Sequence, residues 1–333
     1  MIRSVLQKSA LLLALAAPVL FNSCSTDINL LENYKPITVV YGLLNVNDSI
    51  QYIKVNKAFL GEGNAIVMAQ QGDSINYKPG ELTVQLQQLN PSTGEVLQTI
   101  TCDTTTQIPK SDGLFSNPYQ MLFKTNAFID ESSNYKVLID RAVDGVQISA
   151  VTPVVDSVEI TFPTAVNLVR FYTISQSYVT FVLKWKHSAD AEIYSTRIRF
   201  TYYDSLVVAP FTKDTITLEI NLPDILKGTS AVGAIKNVEL KGLDFYNFID
   251  ASVNPNPNAV RWADDELEIS LSAGAEDLNT YIEVNKPSLG IIQEKPVFSN
   301  ITNGTGIFSS RWKAVIKRKM DSATLTKAND VLN

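Results

Sequence analysis

Period-two alternation of apolar and polar residues is the feature that most restricts what this chain can fold into. It runs through Ile50–Val55 (IQYIKV), Leu82–Leu89 (LTVQLQQL), Tyr135–Ile139 (YKVLI), Val146–Val151 (VQISAV) and Ile216–Leu222 (ITLEINL). Successive side chains of a strand leave opposite faces, so this spacing specifies sheets with one packed and one wet face. Clusters of turn formers separate the runs: Asn47-Asp48, Lys78-Pro79-Gly80 and Asn90-Pro91-Ser92-Thr93-Gly94. The last cluster joins Leu82–Leu89 to Val96–Ile100 as a hairpin, and Arg141–Gly145 joins a second one. Pro153 has no N–H to give a ladder, so it closes that hairpin and places a domain boundary near residues 153–163.

The pattern restarts with Tyr178–Trp185 (YVTFVLKW) and Tyr194–Tyr202 (YSTRIRFTY). The order strand, Trp185, loop, Tyr194, strand resembles the opening of a fibronectin type III domain. That likeness implies that both rings plug a core between two sheets. The first half resembles an immunoglobulin-like or carboxypeptidase-regulatory-like sandwich. Helix signals are few: one turn at Pro223–Leu226, Leu240–Ile249 weakened by Gly242, Glu276–Val284 stopped by Pro287, and a helix or loose tail from Thr324. The expected fold class is mostly β, with two Ig-like or fibronectin-III-like antiparallel β-sandwich domains at residues 37–155 and 164–320. A few short helices belong to the second, and residues 321–333 form a C-terminal tail.

The first residues read as an export signal. Arg3 and Lys8 precede an apolar run from Ala10 to Leu20, then Asn22, Ser23 and Cys24. The run is shorter than the roughly 20 residues a membrane-spanning helix needs, and it has the layout of a secretory signal peptide. With Cys at the cut it resembles a bacterial lipoprotein signal, with Phe21 where Leu is usual. Residues 1–23 would be removed, Cys24 would carry lipid, and residues 24–36 would form a tether. A single acyl chain holds a membrane only marginally, whereas a multiply acylated Cys24 would be a stable anchor.

Charge and composition exclude several classes of function. The 28 basic and 34 acidic residues give a formal charge of −6, and loss of Arg3 and Lys8 makes it −8. Only Lys317-Arg318-Lys319 is a basic block, and it reads as a solvated strand end, so no nucleic-acid partner is expected. Cys102 is alone once Cys24 is lipidated and reads as a buried structural thiol. His187 is the one histidine, which excludes any site needing two imidazoles, and no nucleophile elbow accompanies it. Asp264-Asp265-Glu266 reads as a solvated turn rather than an acid–base pair or calcium loop. Asn303-Gly304-Thr305-Gly306 reads as a tight turn, not a dinucleotide loop. No metal, cofactor or catalytic residue is expected.

Two patterns point to a destination. Asp followed by Ser or Thr and then an apolar residue or Thr recurs seven times, at Ser49, Ser74, Thr104, Ser157, Ser205, Thr215 and Ser322. This composition gives about one or two such cases by chance. The motif resembles the acceptor pattern of general protein O-glycosylation in Bacteroidota, although Asp and Ser also favour turns that open strands. The closing stretch, Lys295-Pro296-Val297-Phe298-Ser299-Asn300-Ile301 followed by Gly304-Thr305-Gly306-Ile307-Phe308, resembles the closing motif of an uncharacterised family of Bacteroidota cell-envelope lipoproteins. Thr38–Gly42 and Ile50–Phe59 resemble that family's opening, and Asn303 stands where Gly is common. The resemblance implies an outer-membrane location near TonB-dependent receptors and carries over no catalytic residues.

The expected function is therefore a lipid-anchored, non-enzymatic binding or accessory module, partnering an outer-membrane receptor or capturing an extracellular ligand. Phe115, Tyr119 and Tyr246 are candidate contacts. One alternative is a fimbrial subunit that assembles by strand addition, with Trp312–Lys317 (WKAVIK) as the displaceable strand. The other is an envelope hydrolase, which needs a cleft of clustered acids.

Overall fold

A computed structural model describes residues 37–58, 65–116, 118–287 and 296–333. The signal segment, Cys24, the tether and Lys295 lie outside the described residues. Alternation becomes strand wherever it occurs. The strands are β1 (Ile37–Leu44), β2 (Gln51–Ala58), β3 (Leu82–Leu89), β4 (Val96–Thr101), β5 (Asp103–Thr105), β6 (Leu122–Thr125), β7 (Asn134–Arg141) and β8 (Val146–Pro153). Then come β9 (Ile160–Phe162), β10 (Thr180–Lys186), β11 (Ile193–Leu206), β12 (Lys213–Asn221), β13 (Ile225–Leu226), β14 (Ile235–Lys241), β15 (Ala259–Gly274) and β16 (Thr305–Lys319). The helices are α1 (Ala65–Ala69), α2 (Gly72–Ile75), α3 (Gly242–Ser252), α4 (Glu276–Asn285) and α5 (Ser322–Leu332).

The fold is mostly β, and its sheets pack as β-sandwiches. One long sheet runs β12-β11-β15-β16-β1-β2-β6-β5, with β13 paired to β11. Two smaller sheets, β4-β3-β7-β8 and β14-β10-β9, complete two packed layers. The hydrophobic core falls into two clusters, with Val154 in the first and Val155 in the second. Trp185 and Tyr194 are fully buried in the second, their ring centroids 5.2 Å apart, and Phe171 stacks on Phe245 at 4.1 Å. Each large side chain buried in this way contributes about 1.5–3 kcal/mol.

β16 crosses both cores. Its first half pairs with β1, Val39 opposite Thr305 through Leu44 opposite Ser310, and the pairing is parallel. Its second half pairs antiparallel with β15, Arg311 opposite Gly274 through Lys319 opposite Glu266. Phe308 and Trp312 share one face of β16 by parity, yet Phe308 packs in the first core and Trp312 in the second. The long sheet is thus a common floor for both cores. The division at 37–155 and 164–320 is crossed here, because Ile301 and Phe308 complete the first core from the far end of the chain. Ser310 lies at the seam, where its hydroxyl accepts from the Val155 N–H at 3.0 Å, at the point where the chain passes between cores.

Local expectations change at five places. Residues 321–333 are not a loose tail: Asp321 caps α5 by accepting from the Thr324 N–H at 2.9 Å, and Ala328 and Leu332 enter the core. Pro223–Leu226 forms no helical turn, since Ile225 and Leu226 bridge to β11. Asp264-Asp265-Glu266 is not a turn but lies inside β15, where the register against β11 shifts between Phe200 and Tyr202. Helices are not confined to the second half, because α1 and α2 lie in the first. Gly242 does not interrupt its helix but begins it. A Cβ there would stand 2.2 Å from the Phe171 carbonyl oxygen, so the close approach excludes any side chain.

Candidate functional site

The residues singled out from the sequence divide into buried, structural and exposed groups. Cys102 is buried, which pushes its thiol up to about 11, so it carries little thiolate at neutral pH. The His187 ring is buried and pairs through Nδ1 with the Tyr194 hydroxyl at 2.8 Å, while that hydroxyl also accepts from the Ser188 N–H at 3.0 Å. Burial followed by repulsion from Lys236 and Lys227 holds the imidazole below its ordinary value, and its role is to fix a corner of the second core. Tyr246 is buried and donates to the Thr324 carbonyl, whereas Phe115 and Tyr119 are exposed. Trp312–Lys317 is the paired second half of β16, and Trp312 sits in the core.

Asp264 accepts from the Tyr203 hydroxyl at 3.2 Å and Asp265 pairs with Lys319 at 2.7 Å, so these two acids are spent on neighbours. Among the described residues no three His, Cys, Asp or Glu side chains come together to hold a metal ion. Also among them, no helix is long and apolar enough to cross a membrane. Ser49, Thr104, Ser157, Thr215 and Ser322 are exposed, and Ser74 and Ser205 are partly covered. The Asp of the last motif, Asp321, is the helix cap already described. The Ser157 hydroxyl donates to Glu131 at 2.9 Å.

The closing segment is a structural latch. The Asn300 side chain accepts from the Phe308 N–H at 3.0 Å and donates to the Phe308 carbonyl at 2.7 Å and to Asp277 at 2.7 Å. Gly306 has φ +113°, and a Cβ there would meet the Val40 carbonyl oxygen at 2.1 Å. The backbone of β16 can therefore lie against β1 only if residue 306 is glycine.

The outward face of β12-β11-β15-β16 carries the most distinctive chemistry. Parity and register build it as rows of directly opposed side chains. One row is Lys313, Ser272 and Ser195; the next is Val315, Ser270, Arg197 and Asn221; the third is Lys317, Glu268, Arg199 and Glu219. In the third row charges are matched: Arg199 meets Glu219 at 2.7 Å and Glu268 at 2.9 Å, and Arg197 also reaches Glu219 at 3.2 Å. In the first row short hydroxyls lie between long side chains and leave a trough of about 630 Å³. Four cationic and two acidic side chains line it, on a chain of net negative charge.

Two features give the trough walls. Leu278 of α4 packs where a Cβ on Gly274 would fall, so the helix rides over the sheet beside Arg311. Asp224, beyond β12, accepts from the Ser195 hydroxyl. A second groove of about 400 Å³ adjoins, lined by Tyr41, Tyr52, Leu278, Tyr281 and Arg311. Tyr41 and Tyr281 meet edge to face at 6.5 Å, and burial followed by the Tyr281 hydrogen bond holds the Tyr41 hydroxyl above its ordinary value. A third pocket of about 430 Å³ gathers Lys54, Lys57 and Lys110 beside Phe115. Burial, then Lys110, holds the Lys54 ammonium below its ordinary value. The alternation of Tyr194–Tyr202 put Arg197 and Arg199 on a wet face, but only the register shows which residues stand beside them.

No protein-family model matches the chain, and no curated protein matches it. Among solved structures, the chain is similar to the C-terminal globular domain of an oligosaccharyltransferase from Pyrococcus abyssi, at 9% identity over 86% of this chain and a TM-score of 0.19. The chain spans 49% of that structure's length, and a likeness at this TM-score carries no argument about fold or function.

Proposed function

We propose that the protein is a lipid-anchored, non-enzymatic binding module of the cell envelope that offers the outward face of its long sheet to a polar extracellular ligand. The observation that carries this reading is the trough: an open, charged and hydroxyl-rich depression on a sheet whose other face packs on two cores. A polar surface of this kind binds through directed hydrogen bonds rather than area. Its two acids, Asp224 and Glu268, are bonded to Ser195 and Arg199 rather than poised as an acid and base, which favours binding over hydrolysis. The signal layout ending at Cys24 supports export and lipidation to the outer membrane, where a TonB-dependent receptor would be the nearest partner. Exposed Ser49, Thr104, Ser157, Thr215 and Ser322 are accessible to a glycan.

Fractionation of cells producing the Cys24→Ala variant tests the anchoring. The expected outcome is transfer from the outer-membrane fraction to the soluble fraction, with loss of acyl label. A variant that remains in the membrane fraction overturns the lipid anchor.

A further inference from the structure

The trough is not uniform, and its imbalance identifies what it takes. Arg197 and Arg199 are neutralised by Glu219 and Glu268, but among the described residues Arg311 and Lys313 have no carboxylate partner. The Nε of Arg311 is sealed from solvent and meets no acceptor. The guanidinium is thus left with an unspent donor and no charge partner beside the trough it lines, which disposes it toward an anionic group there. A guanidinium presents its N–H groups as a planar fork that fits a carboxylate with two parallel bonds. The floor beside it is Ser272, whose short side chain leaves room for a bound group.

The opposite wall is uncharged or acidic and suits hydroxyl groups. Asn221 supplies an amide donor while its oxygen accepts from Arg197, Asp224 keeps a second oxygen as an acceptor, and the Ser195 hydroxyl, which donates to Asp224, is left as an acceptor. Leu222 is the single apolar residue of the lining, so a peptide side chain finds little to pack against. A nucleic-acid backbone would run into Glu268, Glu219 and Glu266 on the next rows. Arg311 also lines the tyrosine groove, so a ligand held there can extend from the polar trough to an aromatic face.

We propose that the trough is a subsite for an acidic sugar, with Arg311 and Lys313 on the carboxylate, Ser195, Asn221 and Asp224 on ring hydroxyls, and Tyr281 against a neighbouring ring. This inference rests on the binding-module reading and names its ligand class.

The test is calorimetric titration of the full mature protein in detergent with tri-galacturonate, a neutral galactose trisaccharide and inorganic sulfate. Tri-galacturonate is expected to bind, and Arg311→Gln to weaken it by about tenfold or more, with an unchanged melting temperature. Arg311→Lys is expected to fall between, because it keeps the charge and loses the fork. Tyr281→Ala is expected to weaken the trisaccharide while leaving monomeric galacturonate unaffected. Equal binding of the neutral trisaccharide, or no effect of Arg311→Gln, overturns the acidic-sugar subsite and leaves a binding module of another specificity. Sulfate binding as tightly as the sugar, with the same dependence on Arg311, overturns the sugar and leaves a simple anion hole. Binding of none of the three overturns the inference, whereas the anchored-module reading stands or falls separately on the Cys24→Ala fractionation.

Discussion

Single residues in this protein act mostly through what they place next to the chain's own backbone. Gly306 permits the β1–β16 approach, Ser310 secures the passage between cores, and Asp321 caps α5. Asp156 is different, because it sits near Glu131 and Asp190. Burial first, then those two like charges, hold its carboxyl above its ordinary value. The sign follows from proton linkage. An acid with a raised folded value binds its proton more tightly when folded. The stability it contributes is fully present below its unfolded value of about 3.9 and is lost as pH rises through the folded one. At neutral pH the charged form opposes folding. Asp156→Asn is therefore expected to melt at a higher temperature than the parent at pH 7, with the advantage shrinking as pH falls below about 4. Paired melts at the two pH values check this, and a variant less stable at pH 7 would show that Asp156 has a stabilising contact.

Among the elements, those carrying a strict period-two pattern were legible and those fixed by tertiary contact were not. β3, β7, β8 and β12 follow directly from alternation, and the β3–β4 and β7–β8 hairpins from their turn residues. The helix at 276–285 was marked by its spacing and by Pro287. The docking of α5 was not legible, since Thr324, Ala328 and Leu332 form a sparse stripe whose burial depends on β15 and α3 lying beneath it. The face of the candidate site was half visible. Arg197 and Arg199 alternate with buried residues, but their alignment with Ser270 and Glu268 is a property of register, which pairwise strand distance in sequence does not encode. Ser299-Asn300-Ile301 was singled out by resemblance, and its physical role appears only in the fold. The Asn300 side chain occupies both backbone groups of Phe308, whose own side chain is fully buried. Asn300→Ala leaves those groups unpaired and is expected to cost about 1–3 kcal/mol in urea unfolding, whereas Asn300→Asp, which cannot donate to the carbonyl, should cost at least part of it. A cost near zero for both would show that water replaces the latch.

At the scale of the whole molecule, the consequence of β16 spanning both cores is that the two sandwiches are not independent in sequence. The first half of the chain supplies β1 to β8 but not Ile301 or Phe308, and without β16 the inner edge of β1 is left with unpaired backbone groups. An exposed strand edge of this length beside an incomplete core is a site of misfolding and aggregation. The long connection also means that the first core closes only after the last strand has been made, which lowers the benefit of early local contacts. Residues 37–154 expressed alone are thus expected to lack the near-ultraviolet circular dichroism of a packed core and to aggregate. A circular permutant in which residues 296–310 are joined through a flexible linker ahead of residue 37 restores the missing partner. It is expected to give a soluble, cooperatively unfolding domain. The parallel geometry of the β1–β16 pair requires that linker to return along the full length of the strand, about 20 Å for six residues, so a linker of two or three residues should fail where one of ten succeeds. If residues 37–154 fold alone with the same cooperativity as the permutant, β16 is an accessory to the first core and the coupling between the two halves is lost.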